Sequence, residues 1–165
     1  MSKSSKLDII AEPGQHEFIL TRIFKAPRAL VYQTYTDAAA IPQWWGPKYL
    51  TTVVDKMEVQ PGGQWRFVQH DNEGNEFGFH GFYHQVVASE RLISTFEWEG
   101  LPGHVLLETT TFEDYEGGTK VVSSSVFQTV ADRDGMLQSG MEGGAQESLE
   151  RLTALLEQAL TSTRQ

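Results

Sequence analysis

An α+β fold is predicted: a curved, seven-stranded antiparallel sheet wrapped on a long C-terminal helix, in the order β-α-α-β6-α. Three observations predict it. From Tyr49 to Gln128 the apolar pattern has period two and is cut by regularly spaced turns. From about Asp134 the pattern changes to a helical period. Between the first strand and the meander stands Trp44-Trp45-Gly46-Pro47, followed one strand-length later by Pro61-Gly62-Gly63-Gln64-Trp65. Adjacent helix positions point about 100° apart, so two neighbouring tryptophans cannot both occupy one narrow apolar stripe. The pattern describes a short helix ending at the rim of a curved sheet, with bulky aromatics around a hollow.

Taken in order, residues 1–15 are expected as a flexible tail broken at Glu12-Pro13-Gly14, and residues 16–165 as one domain. Glu17 to Lys25 alternates and makes the first strand. Pro27 sits where a helix begins and its missing N–H is harmless. Leu30, Val31 and Thr34 form that helix's inward stripe. Asp37 caps a second short helix that ends at Trp44-Trp45 before Gly46-Pro47. Gly62-Gly63, Asn72-Glu73-Gly74-Asn75, Ala88-Ser89-Glu90, Gly100-Leu101-Pro102-Gly103 and Tyr115-Glu116-Gly117-Gly118 then divide the rest into six strands. In the last helix Met141, Ala145, Ser148, Leu149, Leu152, Leu155, Leu156 and Ala159 lie opposite Glu147, Glu150, Arg151 and Glu157. Gly135, Gly140, Gly143 and Gly144 weaken its first half by about 1 kcal/mol each. A sheet gripping a helix leaves a hollow wherever the cover is made of small residues, and Gly140, Gly143, Gly144 and Ala145 supply such a cover.

Composition narrows the function classes. A chain of 165 residues is long enough for one domain with a sizeable core. The absence of cysteine excludes thiolate nucleophiles, disulfides and cysteine-ligated metal, and favours a reducing, cytoplasmic setting. A net charge of −9 disfavours nucleic acid, which needs clustered Lys and Arg to displace phosphate counterions. No apolar run reaches the roughly 20 residues that span a bilayer. Met1-Ser2-Lys3-Ser4-Ser5-Lys6 is followed by no apolar segment of the signal-peptide kind, so no signal peptide is expected. A monomer or homodimer is expected, with no membrane or nucleic-acid partner.

Several linked motifs resemble one known group. Arg22-Ile23-Phe24-Lys25-Ala26-Pro27-Arg28-Ala29-Leu30-Val31, Trp44-Trp45-Gly46-Pro47, Asp55 before Pro61-Gly62-Gly63-Gln64-Trp65, Gly81-Phe82-Tyr83, Ser89-Glu90-Arg91-Leu92-Ile93 and Gly140-Met141-Glu142-Gly143-Gly144 are similar to the SRPBCC superfamily. Within it they resemble the bacterial single-domain relatives of the activator of the heat-shock-chaperone ATPase, also described as polyketide-cyclase-like. The resemblance runs from about Phe18 to Leu160. It implies a helix-grip, START-like fold with a deep hydrophobic pocket between sheet and C-terminal helix. Many such relatives carry tryptophan just after the helix glycine, where this chain has Ala145, and that departure implies an enlarged or reshaped pocket.

Strand parity nominates the pocket wall. With Glu97 and Glu99 facing water, Leu92, Ser94, Phe96 and Trp98 face inward. Val53, Asp55 and Met57 share one face of the second strand, and Trp65 and Phe67 share one face of the third. The expected ligand-binding set is therefore Trp44, Trp45, Val53, Asp55, Met57, Trp65, Phe67, Phe96, Trp98, Met141, Gly144, Ala145 and Ser148. Ordinary core packing is the simpler account of any one of these aromatics, and the cavity reading gains only from the group with its glycine-rich lid. Asp55 on an apolar face either orients a ligand group or acts as a base, or else pairs with Arg22, Arg66 or turn amides. His80 and His84 have i, i+4 spacing, but on a strand they lie about 13 Å apart, too far to share a metal. No metal and no cofactor is expected. Glu108 interrupts an apolar strand and shares a face with Leu106 and Thr110, though which face is inward is left open. Ser123-Ser124-Ser125 lacks a nucleophile elbow, and the late glycines match no phosphate loop.

These residues favour binding of a small, largely hydrophobic molecule, without a recognisable catalytic constellation. The alternatives are a cyclase- or hydrolase-like enzyme using Asp55 or a histidine as acid–base group, and a chaperone-ATPase cofactor or other partner-binding module.

Overall fold

The computed structural model describes residues 5–163. Eight strands form one antiparallel sheet: β1 (Ser5–Ile10), β2 (Glu17–Phe24), β3 (Thr51–Met57), β4 (Gln64–His70), β5 (Glu76–Val87), β6 (Arg91–Trp98), β7 (Val105–Tyr115) and β8 (Gly118–Val126). Their spatial order is β1-β2-β8-β7-β6-β5-β4-β3. Helices α1 (Arg28–Thr36) and α2 (Ile41–Trp44) connect β2 to β3, and α3 (Val130–Gln138) and α4 (Met141–Thr163) follow β8. This is a helix-grip fold, with α4 held by the sheet.

Two features differ from the sequence reading. The sheet has eight strands, because Ser5–Ile10, within the segment expected as a tail, pairs residue for residue with Ile19–Phe24. Leu7 and Ile9 supply a weak alternation there, and Leu7 packs against the core. The expected last helix is two helices. Gly140, at φ +86°, adopts a left-handed turn that no helix continues through, so Asp134 belongs to α3 and α4 begins at Met141. Thr129 caps α3 by accepting from the Asp132 amide at 3.0 Å. Arg133 anchors it to the β1–β2 connection, donating to the carbonyls of Glu12 at 2.7 Å and Glu17 at 2.9 Å.

The core follows from the period of each element. Leu149, Leu152 and Leu156, at i, i+3 and i+7, are buried on the inward stripe of α4. They meet Phe24, Val121, Phe112, Trp65 and Phe67 from the concave face of the sheet and Val31, Ile41 and Trp44 from α1 and α2. Gly81 makes one close approach possible. A Cβ there would strike the Thr95 carbonyl and the Trp65 indole nitrogen. Without it, Trp65 Nε1 reaches across and donates to the Thr95 carbonyl at 3.1 Å.

Candidate functional site: a cavity between sheet and helix

Trp44-Trp45-Gly46-Pro47 is fastened to α4 from several sides. The Gly46 amide donates to Ser148 Oγ at 3.0 Å, and Arg151 donates to the carbonyls of Gly46 at 2.9 Å and Pro42 at 3.2 Å. The two tryptophans diverge as adjacent helical positions must. Trp44 packs on Tyr35 (centroids 4.9 Å apart) and donates to the Thr34 carbonyl at 2.9 Å. Trp45 meets Phe67 and Phe79 edge-on at 5.0 and 5.4 Å. Trp65, Phe67, Phe79 and Phe96 continue this aromatic wall across β4 to β6.

Behind the wall lies a cavity of about 340 Å³ between the concave face and α4. That volume sits at the lower end of the range typical of small-molecule pockets. Nine of the expected binding residues line it: Trp44, Trp45, Trp65, Phe67, Phe96, Met141, Gly144, Ala145 and Ser148. At Gly144, which lines the cavity, an added Cβ would meet nothing within 4 Å, so the α4 side has room there.

The other four do not line it. Val53 and Asp55 face outward on β3, where Thr52 and Val54 turn inward instead. A register shift between Val54 and Lys56 then brings Met57 against the core, outside the cavity. Val53 and Asp55 share a face as period two requires, but it is the outer one, and the bulge separates Met57 from it. Trp98 has inward parity but ends β6 at the sheet's rim, 41% exposed. Asp55 pairs with Arg66 at 3.4 Å, the bland alternative set beside its binding role. Arg66 also grips Glu99 through two bonds of 2.8 and 2.9 Å. His80 Nδ1 lies 2.8 Å from Glu99 Oε2 and its Nε2 lies 3.4 Å from Glu97. The Arg66 guanidinium holds the Glu99 carboxyl down at about 2. This network belongs to the convex face. His80 and His84 are on one strand, as composition suggests, and no histidine lines the cavity. Acid–base chemistry by Asp55 or a histidine therefore has no access to it.

Polar groups that the residue pattern did not nominate do line it. Across the sheet, Phe18 faces Ser125, Ser125 faces Glu108, Glu108 faces Ser94 and Ser94 faces Tyr83. In the next row Thr110 and Ser123 satisfy each other at 3.2 Å. Arg22 enters from β2 and donates through Nη1 to Tyr35 Oη at 3.1 Å. Ser125 Oγ donates to Glu108 Oε2 at 3.4 Å. Burial pushes the Glu108 carboxyl above its ordinary range, while Arg22 and the Ser125 hydrogen bond oppose the shift. Burial likewise raises Tyr35 and Tyr83, keeping both phenols neutral. The signal for this end was one of parity. Arg22 falls in the apolar column of Phe18, Leu20 and Phe24, as Glu108 falls in that of Leu106, Thr110 and Phe112.

The family model described as Activator of Hsp90 ATPase homolog 1-like protein matches residues 25–157. The chain belongs to that family. Its place there agrees with the SRPBCC resemblance and with the fold of solved structures. A Rhodobacter sphaeroides protein superimposes with TM-score 0.84 at 24% identity, covering 91% of this chain and 99% of that one. A Mycobacterium smegmatis protein gives 0.83 at 20%, covering 92% and 97%. A Staphylococcus epidermidis protein gives 0.77 at 26%, covering 90% and 93%. No functionally curated protein matches the sequence. Among the described residues no helix is long and apolar enough to cross a membrane.

Proposed function

We propose that this family member binds a small, largely apolar molecule in the cavity between its sheet and α4. The observation that supports this reading is the cavity of about 340 Å³ under a glycine- and alanine-containing helix turn, walled by Trp44, Trp45, Trp65, Phe67 and Phe96. Close-packed interiors leave few voids larger than a water, and an apolar wall with a few converging polar groups is the usual design of a small-molecule site. Its three cavity tryptophans, Trp44, Trp45 and Trp65, also make the protein its own reporter. Titration with a panel of hydrophobic ligands should change tryptophan fluorescence and raise the melting temperature, by mass action on the native state. A panel with no binder in either readout removes the proposal.

A second reading, a chaperone-ATPase cofactor, takes its support from the family description and from one surface. Phe82, Leu107 and Val126 are each more than 40% exposed and, with Thr95, lie in one row across the convex face. Adding the protein to an Hsp90-class chaperone tests it. Unchanged ATP turnover at saturating protein eliminates it without touching the cavity reading.

A further inference from the structure

The polar end of the cavity holds two ionisable groups that the fold itself does not fully satisfy. Arg22 Nη1 is used by Tyr35, but Arg22 Nε is buried with no acceptor among the protein's atoms. Glu108 receives one long hydrogen bond, from Ser125. The two are close enough for Arg22 to influence the carboxyl's ionisation, yet they form no ion pair among the described residues. Charges that serve only to balance each other in a dry interior close to contact, because desolvated charge is costly unless paired and hydrogen-bonded. Even on the half-exposed convex face Arg66 and Glu99 close to contact, at 2.8 Å. Arg22 and Glu108 both border the cavity instead.

Two donors at that end are left over. Arg22 Nε has a hydrogen to give. Tyr35 Oη accepts from Arg22, which leaves its own O–H to donate. Burial favours the neutral, donating form of Glu108. The groups around Glu108 are Arg22 from β2, Ser125 from β8, Ser94 from β6, Tyr83 from β5 and Tyr35 from α1. From α3 and α4 the cavity receives only Met136, Met141, Gly144, Ala145 and Ser148, none of them titratable. A cationic head would find Glu108 alone and would face the charge of Arg22.

We infer that the ligand is an apolar molecule ending in an oxyanion, a carboxylate in the simplest case, seated on the unpartnered Nε of Arg22 at the polar end of the cavity. This rests on the cavity being a ligand site. Three probes of one shape test it by isothermal titration calorimetry: 2-naphthoate, 2-naphthamide and 2-naphthylmethylamine. At about pH 6 the acid is ionised, and wild-type protein should bind it at least about tenfold more tightly than the amide, because charge-assisted hydrogen bonds are the stronger ones. The amine should be weakest. Arg22→Met should bring the acid down to the level of the amide and leave the amide unchanged. Glu108→Gln, which keeps a hydrogen-bonding side chain without a titratable proton, should keep acid binding.

Should Arg22→Met fail to fold, the wild-type ranking of the three probes still decides. Equal binding of acid and amide overturns the oxyanion head and leaves the cavity proposal standing. Tightest binding of the amine overturns it in favour of Glu108 as the anchor. Acid binding that survives Arg22→Met also overturns it. No binding of any probe, with the hydrophobic panel equally silent, takes down both proposals.

Discussion

The two faces of the sheet carry the same chemistry in opposite states. On the convex face Asp55, Arg66, Glu99, His80 and Glu97 form a closed chain of contacts between 2.8 and 3.4 Å. On the concave face Arg22 and Glu108 stand apart at the edge of a cavity, one with an unanswered Nε and the other with a carboxyl raised by burial. Closed pairs in water contribute little energy and need no partner from outside. Open charges in a low-dielectric cavity are costly, and they are where a ligand gains most. The contrast separates charges that finish the structure from charges that await something.

The largest effects should come from tightening the concave side. Gly81→Ala places a Cβ against the Thr95 carbonyl and the Trp65 indole. Backbone cannot retreat as a flexible side chain can, so this one methyl should cost about 1–3 kcal/mol. His80→Gln, one residue earlier and facing outward, should stay within about 0.5 kcal/mol. Comparable losses from both in chemical denaturation would break the distinction between the faces. Ala145→Trp comes next. Ala145 lines the cavity from α4, and a tryptophan there should fill it, weakening any probe more than about tenfold with little change, or a rise, in melting temperature. A marked fall in melting temperature would mean that no usable space lies beneath Ala145.

A smaller effect distinguishes the two acids by the sign of their pH dependence. Glu108 has a folded carboxyl above its unfolded value of 4.5. Its contribution to stability is fully present below 4.5 and is lost as pH rises through the folded value. Glu108→Gln should therefore gain on wild type toward neutral pH, by about 1 kcal/mol, and lose that advantage in acid. Glu99, held at about 2, behaves the other way: its stability is present above 4.5 and disappears as pH falls toward 2. Being 30% exposed, it gives the weaker slope. Urea midpoints of wild type, Glu108→Gln and Glu99→Gln across that range provide the check. Parallel curves would show that the buried and exposed acids do not differ.

Much of the fold was legible, because it is written in periods and turn residues. The six-strand meander, both short helices and the helical end announce themselves by alternation, Gly-Gly turns and the 3.6 repeat. β1 was not legible: Leu7 and Ile9 are too few to outweigh their polar neighbours, and the edge pairing with β2 is a long-range event. Trp65, Phe67 and Phe96 line the cavity on the faces that strand parity gave them. Period two says which residues share a face and not which face is inner, so Val53 and Asp55 were assigned to the site although they point outward, and the bulge after Val54 put Met57 on the other side from them. The polar end was missed for a different reason. Arg22 and Glu108 lie 86 positions apart in sequence, and only the register of β2, β8 and β7 brings their columns to the same cavity. Each alone is one charged residue among apolar neighbours, readable as a local exception.

Asp55→Asn should have the smallest effect of all. Asp55 and its partner Arg66 are both more than a third exposed, and their contact is the longer one in Arg66's set. Solvent and salt screen such a pair, and exposed pairs contribute between about 0 and 1 kcal/mol. Arg66 keeps both bonds to Glu99 when Asp55 is neutral, so the convex network survives. The variant should therefore melt with wild type and bind cavity probes with unchanged affinity. The result has an informative opposite. Beside this network, Gly62, His80, Phe82, His84, Thr95, Glu97 and Val105 border a second hollow of about 420 Å³ on the convex face. A tenfold loss of probe affinity in Asp55→Asn, with Glu108→Gln unaffected, would place the bound molecule there. The closed charges would then be the working ones, and the open pair of Arg22 and Glu108 only a defect in the core.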